Sequence, residues 1–196
     1  MKLVIHAEGG GHGEYNLTQF RQAWASFFVK AGLARRPRVI PGMGRDQTIA
    51  NFLQALEDAD PETRPLLLVD SEGPVEPDQT AWEYLQTHGG SRIPASARDQ
   101  VFLMVQLMET WFLADRETLR RYFGQGFREN VFRAWPSLEA VPKITVLSAL
   151  AQATAGCNRP YAKGKVSFDL LGQVNPALVE NACLHARQLL DYLRNP

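Results

Sequence analysis

The four residues Leu66-Leu67-Leu68-Val69 are apolar without interruption and stop on Asp70. A strand with one wet face alternates apolar and polar side chains, so a strand that is apolar at every position must be covered on both sides. The rest of the chain has to supply two covering layers, and helical patterns are what it offers. Residues 2–6 form a short apolar run rich in β-branched residues, 37–40 reads as a second short strand, and 101–105 as another buried one. Between them Leu17, Phe20, Trp24, Phe27, Phe28 and Ala31 recur at helical spacing, from a candidate cap at Asn16 to a stop at Gly32. Ile49, Phe52, Leu53 and Leu56 repeat the pattern over 48–56, and a further helix falls near 81–86. Strands alternating with helices predict the α/β class, with a mostly parallel sheet flanked by helices and wound by right-handed crossovers.

Beyond Gln106 no strand run of comparable quality occurs. Helices are expected near 108–113, 116–122, 144–152 and 176–193, and a loop over 156–165, rich in Gly, Asn, Pro and basic residues. With 196 residues, 45% of them hydrophobic, the chain suffices for one well-buried core and is short for two. The expectation is therefore a single domain, 1–196, made of an α/β core (1–106) and a helical C-terminal part (107–196).

Charge and cysteine content narrow the function. Twenty-one basic residues balance 21 acidic ones, so no global field draws this chain to a polyanion, and any contact with nucleic acid must be local. Arg35-Arg36-Pro37-Arg38 is the strongest local basic patch. Cys157 and Cys183 have no metal-ligand spacing and read as reduced structural thiols. No cleavable apolar leader and no long apolar span are visible, which predicts a cytoplasmic location away from the membrane.

Two acidic motifs fall just after strands, where an open parallel sheet gathers its ligands. The first is Glu8-Gly9-Gly10-Gly11-His12-Gly13-Glu14 and the second Asp70-Ser71-Glu72-Gly73. In an extended segment Asp70 and Glu72 project to the same side and can share a hard cation, with Glu8 facing them across the sheet end. Mg²⁺, or Mn²⁺ in its place, suits an open carboxylate cluster and points to phosphoryl-transfer chemistry. Two bland readings stand beside this one. Asp70-Ser71-Glu72 is also a turn and helix-capping cluster. The rival for the glycines at 9–13 is a loop that cradles an anion through backbone N–H groups, but they lack a P-loop's Lys-Ser/Thr ending and the spacing of a dinucleotide fingerprint.

Glu8-Gly9 through Glu14, taken with Leu68-Val69-Asp70-Ser71-Glu72-Gly73, resembles the Toprim superfamily, in which an acidic residue plus glycine follows the first strand and an acidic pair follows a later one. The stretch from Met104 to Asp115, with its Glu109-Thr110-Trp111-Phe112-Leu113-Ala114-Asp115, is similar to the bacterial DUF4276 family. So are Pro142-Lys143 and the Lys163-Gly164-Lys165-Val166-Ser167-Phe168-Asp169 segment, and the resemblance covers nearly the whole chain. It implies a Toprim-like, Rossmann-like domain with Glu8 as general acid/base and Asp70 and Glu72 holding Mg²⁺. The implied activity is phosphodiester hydrolysis by a nuclease on DNA or RNA, in a bacterial defence or mobile-element setting. The implied alternative is a non-catalytic regulatory subunit of a partner ATPase. Glu72 departs from the aspartate usual at that position, and the glycine-rich 9–13 run leaves the place of Glu14 open.

Other residues carry two readings each. Arg45, after the second strand, could clamp a phosphate or be a helix-start surface charge. Lys163 and Lys165 could close over a polyanion or be solvated. Glu109, at a third strand end, could add a ligand or be a helix-start carboxylate favoured by the dipole. His12 could relay a proton or face solvent. Trp111 and Phe112 read as core, Asp115 as a helix cap, and His6 as a satisfied core or edge residue. His88 and His185 show no partner pattern.

Overall fold

The apolar runs become strands and the 3.6-residue patterns become helices in a computed structural model that describes residues 1–9, 14–89 and 92–196, with 14–16 described in backbone alone. The first part of the chain runs β1 (Lys2–Glu8), α1 (Glu14–Lys30), β2 (Arg38–Gly42), α2 (Arg45–Asp58), β3 (Thr63–Asp70), α3 (Ala81–Thr87) and β4 (Val101–Met104). The four strands are parallel throughout, in the order β2-β1-β3-β4. The fold is α/β and Rossmann-like.

Side-chain alternation along β3 divides the core in two. Leu66 and Leu68 face one way, with Ile5 and Ala7 of β1 and with Phe20, Trp24, Phe27 and Phe28 of α1. Leu67 and Val69 face the other, with Ile49 and Phe52 of α2 and with Tyr84 and Leu85 of α3. All four β3 residues are fully buried, as the uninterrupted run requires. The crossover from β1 to β2 runs one way along the sheet and that from β2 to β3 runs back past β1. Crossovers of one hand must then lie on opposite faces, which is where α1 and α2 are.

The second half is built of α4 (Arg116–Phe123), α5 (Lys143–Thr154), α6 (Lys165–Leu171), α7 (Pro176–Ala182) and α8 (Leu184–Arg194), with 3₁₀ turns at Met108–Ala114 and Glu129–Val131. It packs on the α1 face. Trp111 stacks on Phe27 at 5.4 Å and meets Trp24 edge-on at 5.8 Å, which settles Trp111 and Phe112 as core. No helix among the described residues is long and apolar enough to cross a membrane.

Several local expectations are corrected. α1 starts at Glu14, so Asn16 lies inside its first turn and is not the cap. β2 runs on through Pro41 and Gly42, two residues beyond the expected end at 40. A Cβ at Gly42 would collide with the Thr48 side chain, so only glycine lets α2 pack this closely on the end of β2. The stretch 108–113 is a 3₁₀ turn rather than an α-helix, and 176–193 is two helices divided at the fully buried Cys183. α6 was not foreseen, because Gly164 and its basic neighbours mask the apolar Val166, Phe168, Leu170 and Leu171 that follow.

Asp115 caps α4 as expected, accepting the Thr118 N–H at 3.0 Å, and its other oxygen accepts the Asn175 N–H at 2.9 Å. Because Asp115 is only 4% exposed, its removal leaves two N–H groups without an acceptor in a dry place. Asp115→Ala should cost about 2–4 kcal/mol in urea-monitored unfolding, more than an ordinary exposed cap.

Candidate metal centre

The winding of the sheet reverses between β1 and β3, so the carboxyl ends of these two strands stand side by side at the switch point. Ala7 pairs with Leu68, which sets Glu8 and Asp70 at adjacent strand ends. The Glu8 carboxylate accepts the backbone N–H of Asp70 at 3.1 Å, and Asp70 Oδ1 accepts the Met108 N–H at 2.9 Å.

Glu72 arrives by another route than the extended one read from the sequence. The Ser71 and Glu72 N–H groups still bond to the carbonyls of Met104 (3.0 Å) and Gln106 (2.8 Å), but Glu72 itself turns into the left-handed region, φ +66°. Within this turn its carboxylate joins the other two. One oxygen each from Glu8, Asp70 and Glu72 lies within 4.8 Å of the others. Oxygens on a common Mg²⁺ are at most about 4.2 Å apart, twice the metal–oxygen distance. A small contraction of side chains would therefore close the three around one hard cation.

Glu8 and Asp70 of the cluster line a cavity of ≈ 300 Å³, together with Glu109, Lys163 and Ser167. Glu109 is completely buried. Its Oε1 accepts the hydroxyls of Tyr161 (2.8 Å) and Ser167 (3.1 Å), while Oε2 has no partner. The chain thus commits a buried carboxylate with an unsatisfied oxygen to the wall of the cavity that Glu8 and Asp70 share, an arrangement that favours a cation.

Three cations are near. Lys143 Nζ pairs with Glu72 Oε2. Lys163 lines the cavity. Arg45 stands at the site, but its guanidinium donates to the backbone carbonyl oxygens of Asp70 and His88, so it braces the end of β3. Burial, first of all, pushes the Glu8 carboxyl above its ordinary range, with help from the Glu72 charge; Arg45, the Asp70 N–H and Lys163 oppose this. Asp70 is pushed well up, first by burial and then by the charges of Glu8 and Glu109, against Lys163 and the Met108 N–H. Tyr161 is likewise pushed up by burial and by Glu109 beside it.

Of the other expected residues, His12 and the side chain of Glu14 lie outside the described residues. Lys165 opens α6, is exposed, and does not line the cavity. His6 is buried against Phe52, yet neither ring nitrogen has a partner, so it is not the satisfied residue expected; burial and Arg38 hold it neutral. His88 stacks on Tyr84 at 4.0 Å. His185 does have a partner, Glu139, which its Nδ1 meets at 3.1 Å. Lys143, Tyr161 and Ser167 were not foreseen in any role. Their motifs were visible, but no spacing rule links residues 143, 161 and 167 to a strand end 70 positions or more earlier.

A family model described as "Domain of unknown function (DUF4276)" matches residues 7–194. No curated protein and no solved structure gives a match.

The left-handed turn at Glu72 makes a test of its two roles. Glycine there relieves the backbone while alanine does not, so Glu72→Gly should be about 1 kcal/mol more stable than Glu72→Ala, and both should bind divalent cations more weakly than wild type. A second expectation concerns pH. Because Glu8 and Asp70 hold their protons more tightly folded than unfolded, the metal-free protein should lose stability as pH rises from the unfolded carboxylate range through their raised values. A divalent cation takes the ionised forms, so its stabilisation should grow over the same interval. Thermal melts across pH with Mg²⁺ or EDTA measure both trends, and Asp70→Asn should flatten them.

Proposed function

The chain belongs to the DUF4276 family, and starting from that membership we propose that it is a Mg²⁺-dependent (or Mn²⁺-dependent) phosphodiester hydrolase, a Toprim-type nuclease acting on DNA or RNA. The observation that carries this reading is the meeting of Glu8, Asp70 and Glu72 oxygens within 4.8 Å at the switch point of the sheet. The donor set fits the ion. All three groups are hard carboxylate oxygens, and among the described residues no nitrogen or sulfur ligand joins them, which suits Mg²⁺ or Mn²⁺ over a softer metal.

When bound, such an ion supplies Lewis-acid activation of water and neutralises charge on a phosphoryl group. The protein's own groups divide the remaining work. Asp70 and Glu72 hold the cation site in place, Asp70 being fixed by the Met108 N–H and by Arg45 on its carbonyl. Glu8, whose carboxyl holds its proton more tightly than usual because of burial, is suited to general acid/base work. Lys163, on the wall of the cavity, can offset phosphate charge.

A second reading is a non-catalytic regulatory subunit of a partner ATPase. The Lys143–Glu72 ion pair favours it, because a carboxylate already neutralised by a lysine has less to gain from a metal. Cleavage of end-labelled single- and double-stranded DNA and of structured RNA with Mg²⁺ or Mn²⁺ separates the two. The hydrolase reading expects cleavage that falls about 10²–10⁴-fold in Glu8→Gln and is lost in Asp70→Asn, with both variants folded. No cleavage of any substrate, together with no metal-dependent rise in melting temperature, would favour the regulatory subunit.

A further inference from the structure

The end of the sheet opposite the carboxylate cluster is basic. β1 starts there at Lys2 and finishes at Glu8, so the two ends are roughly 20 Å apart at the rise of a strand. A groove of ≈ 1020 Å³ opens at the starting end, and its side-chain cations are Lys2, Arg35, Arg36, Arg38 and Arg194; the Met1 amino group there is paired with Glu62. An adjoining groove of ≈ 500 Å³ shares Arg36 and Arg38 and adds Arg21. Among the described residues no Asp or Glu side chain lines either groove, in a chain whose 21 basic and 21 acidic residues balance.

Arg194 is already paired, with Glu180 at 2.8 Å and Asp191 at 3.1 Å. Lys2, Arg21, Arg35, Arg36 and Arg38 are exposed, and their side chains have no hydrogen-bond or ion-pair partner among the described residues. A surface built only to be solvated interleaves both signs; five uncompensated cations around a concave surface instead raise the local potential for an anion. Four of the five are arginines, whose planar fork matches phosphate oxygens two at a time. Arg36 and Arg38 line both grooves and are two residues apart where the chain enters β2, roughly 7 Å at strand rise. That spacing suits successive charges along one polymer better than a single small anion. Among the described residues no aromatic side chain lines either groove, so they offer no platform on which bases could stack.

We propose that these two grooves hold the phosphodiester backbone of a nucleic acid, independent of its sequence, at the opposite end of the sheet from the carboxylate cluster. The choice of ligand rests on the hydrolase reading; an acidic protein segment is the rival occupant. A polymer that touches both ends must extend about six nucleotides, at 3.4 Å each, beyond the cluster. Short phosphodiesters would reach the cluster without the anchor.

The test is fluorescence anisotropy of the full chain with labelled single strands and duplexes of about 30 nucleotides, in EDTA, over a range of salt. Arg36→Gln/Arg38→Gln should weaken binding at about 50 mM salt tenfold or more and reduce the salt slope by about two. Arg98→Gln/Arg133→Gln, which removes the same charge elsewhere, should leave both within about twofold. Absence of binding at low salt, or equal loss in the two double variants, overturns the proposal. So does an oligoglutamate that binds as tightly as nucleic acid with the same dependence on Arg36 and Arg38. EDTA silences metal-dependent hydrolysis, so groove-dependent binding by a protein that never cleaves would sink the hydrolase and leave the anchor standing. Cleavage of long substrates with an unchanged KM in Arg36→Gln/Arg38→Gln would sink the anchor alone.

Discussion

Asp70 is a carboxylate buried at the end of the most apolar strand of the chain, and much of the molecule is arranged around keeping it there. Burying an ionised carboxylate is costly unless donors and cations meet it. The Met108 N–H reaches its side chain, Arg45 takes its carbonyl, and its own N–H is taken by Glu8. These contacts come from the turn after β4, from α2 and from β1, so the sheet end is fixed from three sides. What they do not remove is the excess of negative charge: Glu8 and Glu109 both push Asp70 further from ionisation. The site is stable as a scaffold and unfinished as an electrostatic arrangement.

The second half of the chain completes that arrangement while forming the α1-side layer. Trp111 and Phe112 anchor the 108–114 turn in the core, and this fixes Glu109 two residues before them. Tyr161 and Ser167 then hold one Glu109 oxygen and leave the other without a partner among the described residues. Packing and chemistry are therefore the same event here. An apolar wall in the core is what allows a carboxylate to be buried with one oxygen unsatisfied.

Much of the fold was readable because it depends on local periodicity. The uninterrupted 66–69 run demanded two covering layers, and Phe20, Trp24, Phe27 and Phe28 at helical spacing supplied one of them. The carboxylates Glu8, Asp70 and Glu72 were readable for a related reason: in a parallel sheet, strand ends are where ligands meet, so an acidic residue ending a strand carries positional information. Glu72 was found for a partly mistaken reason, since it reaches the cluster through a left-handed turn and not through strand alternation. Lys143, Tyr161 and Ser167 depend on how the second half folds over α1, and no short-range pattern encodes that. Helix boundaries failed where a buried residue overrode propensity, as Cys183 does in dividing α7 from α8.

The two outer strands have a consequence for how this molecule behaves among its copies. An exposed strand edge is a template on which another chain can add a strand. Here one outer strand, β2, has no N–H to give at Pro41, and the other, β4, is only four residues long. Neither edge offers a regular ladder to a newcomer, so the sheet resists growth by edge-to-edge pairing. A protein whose sheet ends are charged is in this way kept from polymerising through its sides.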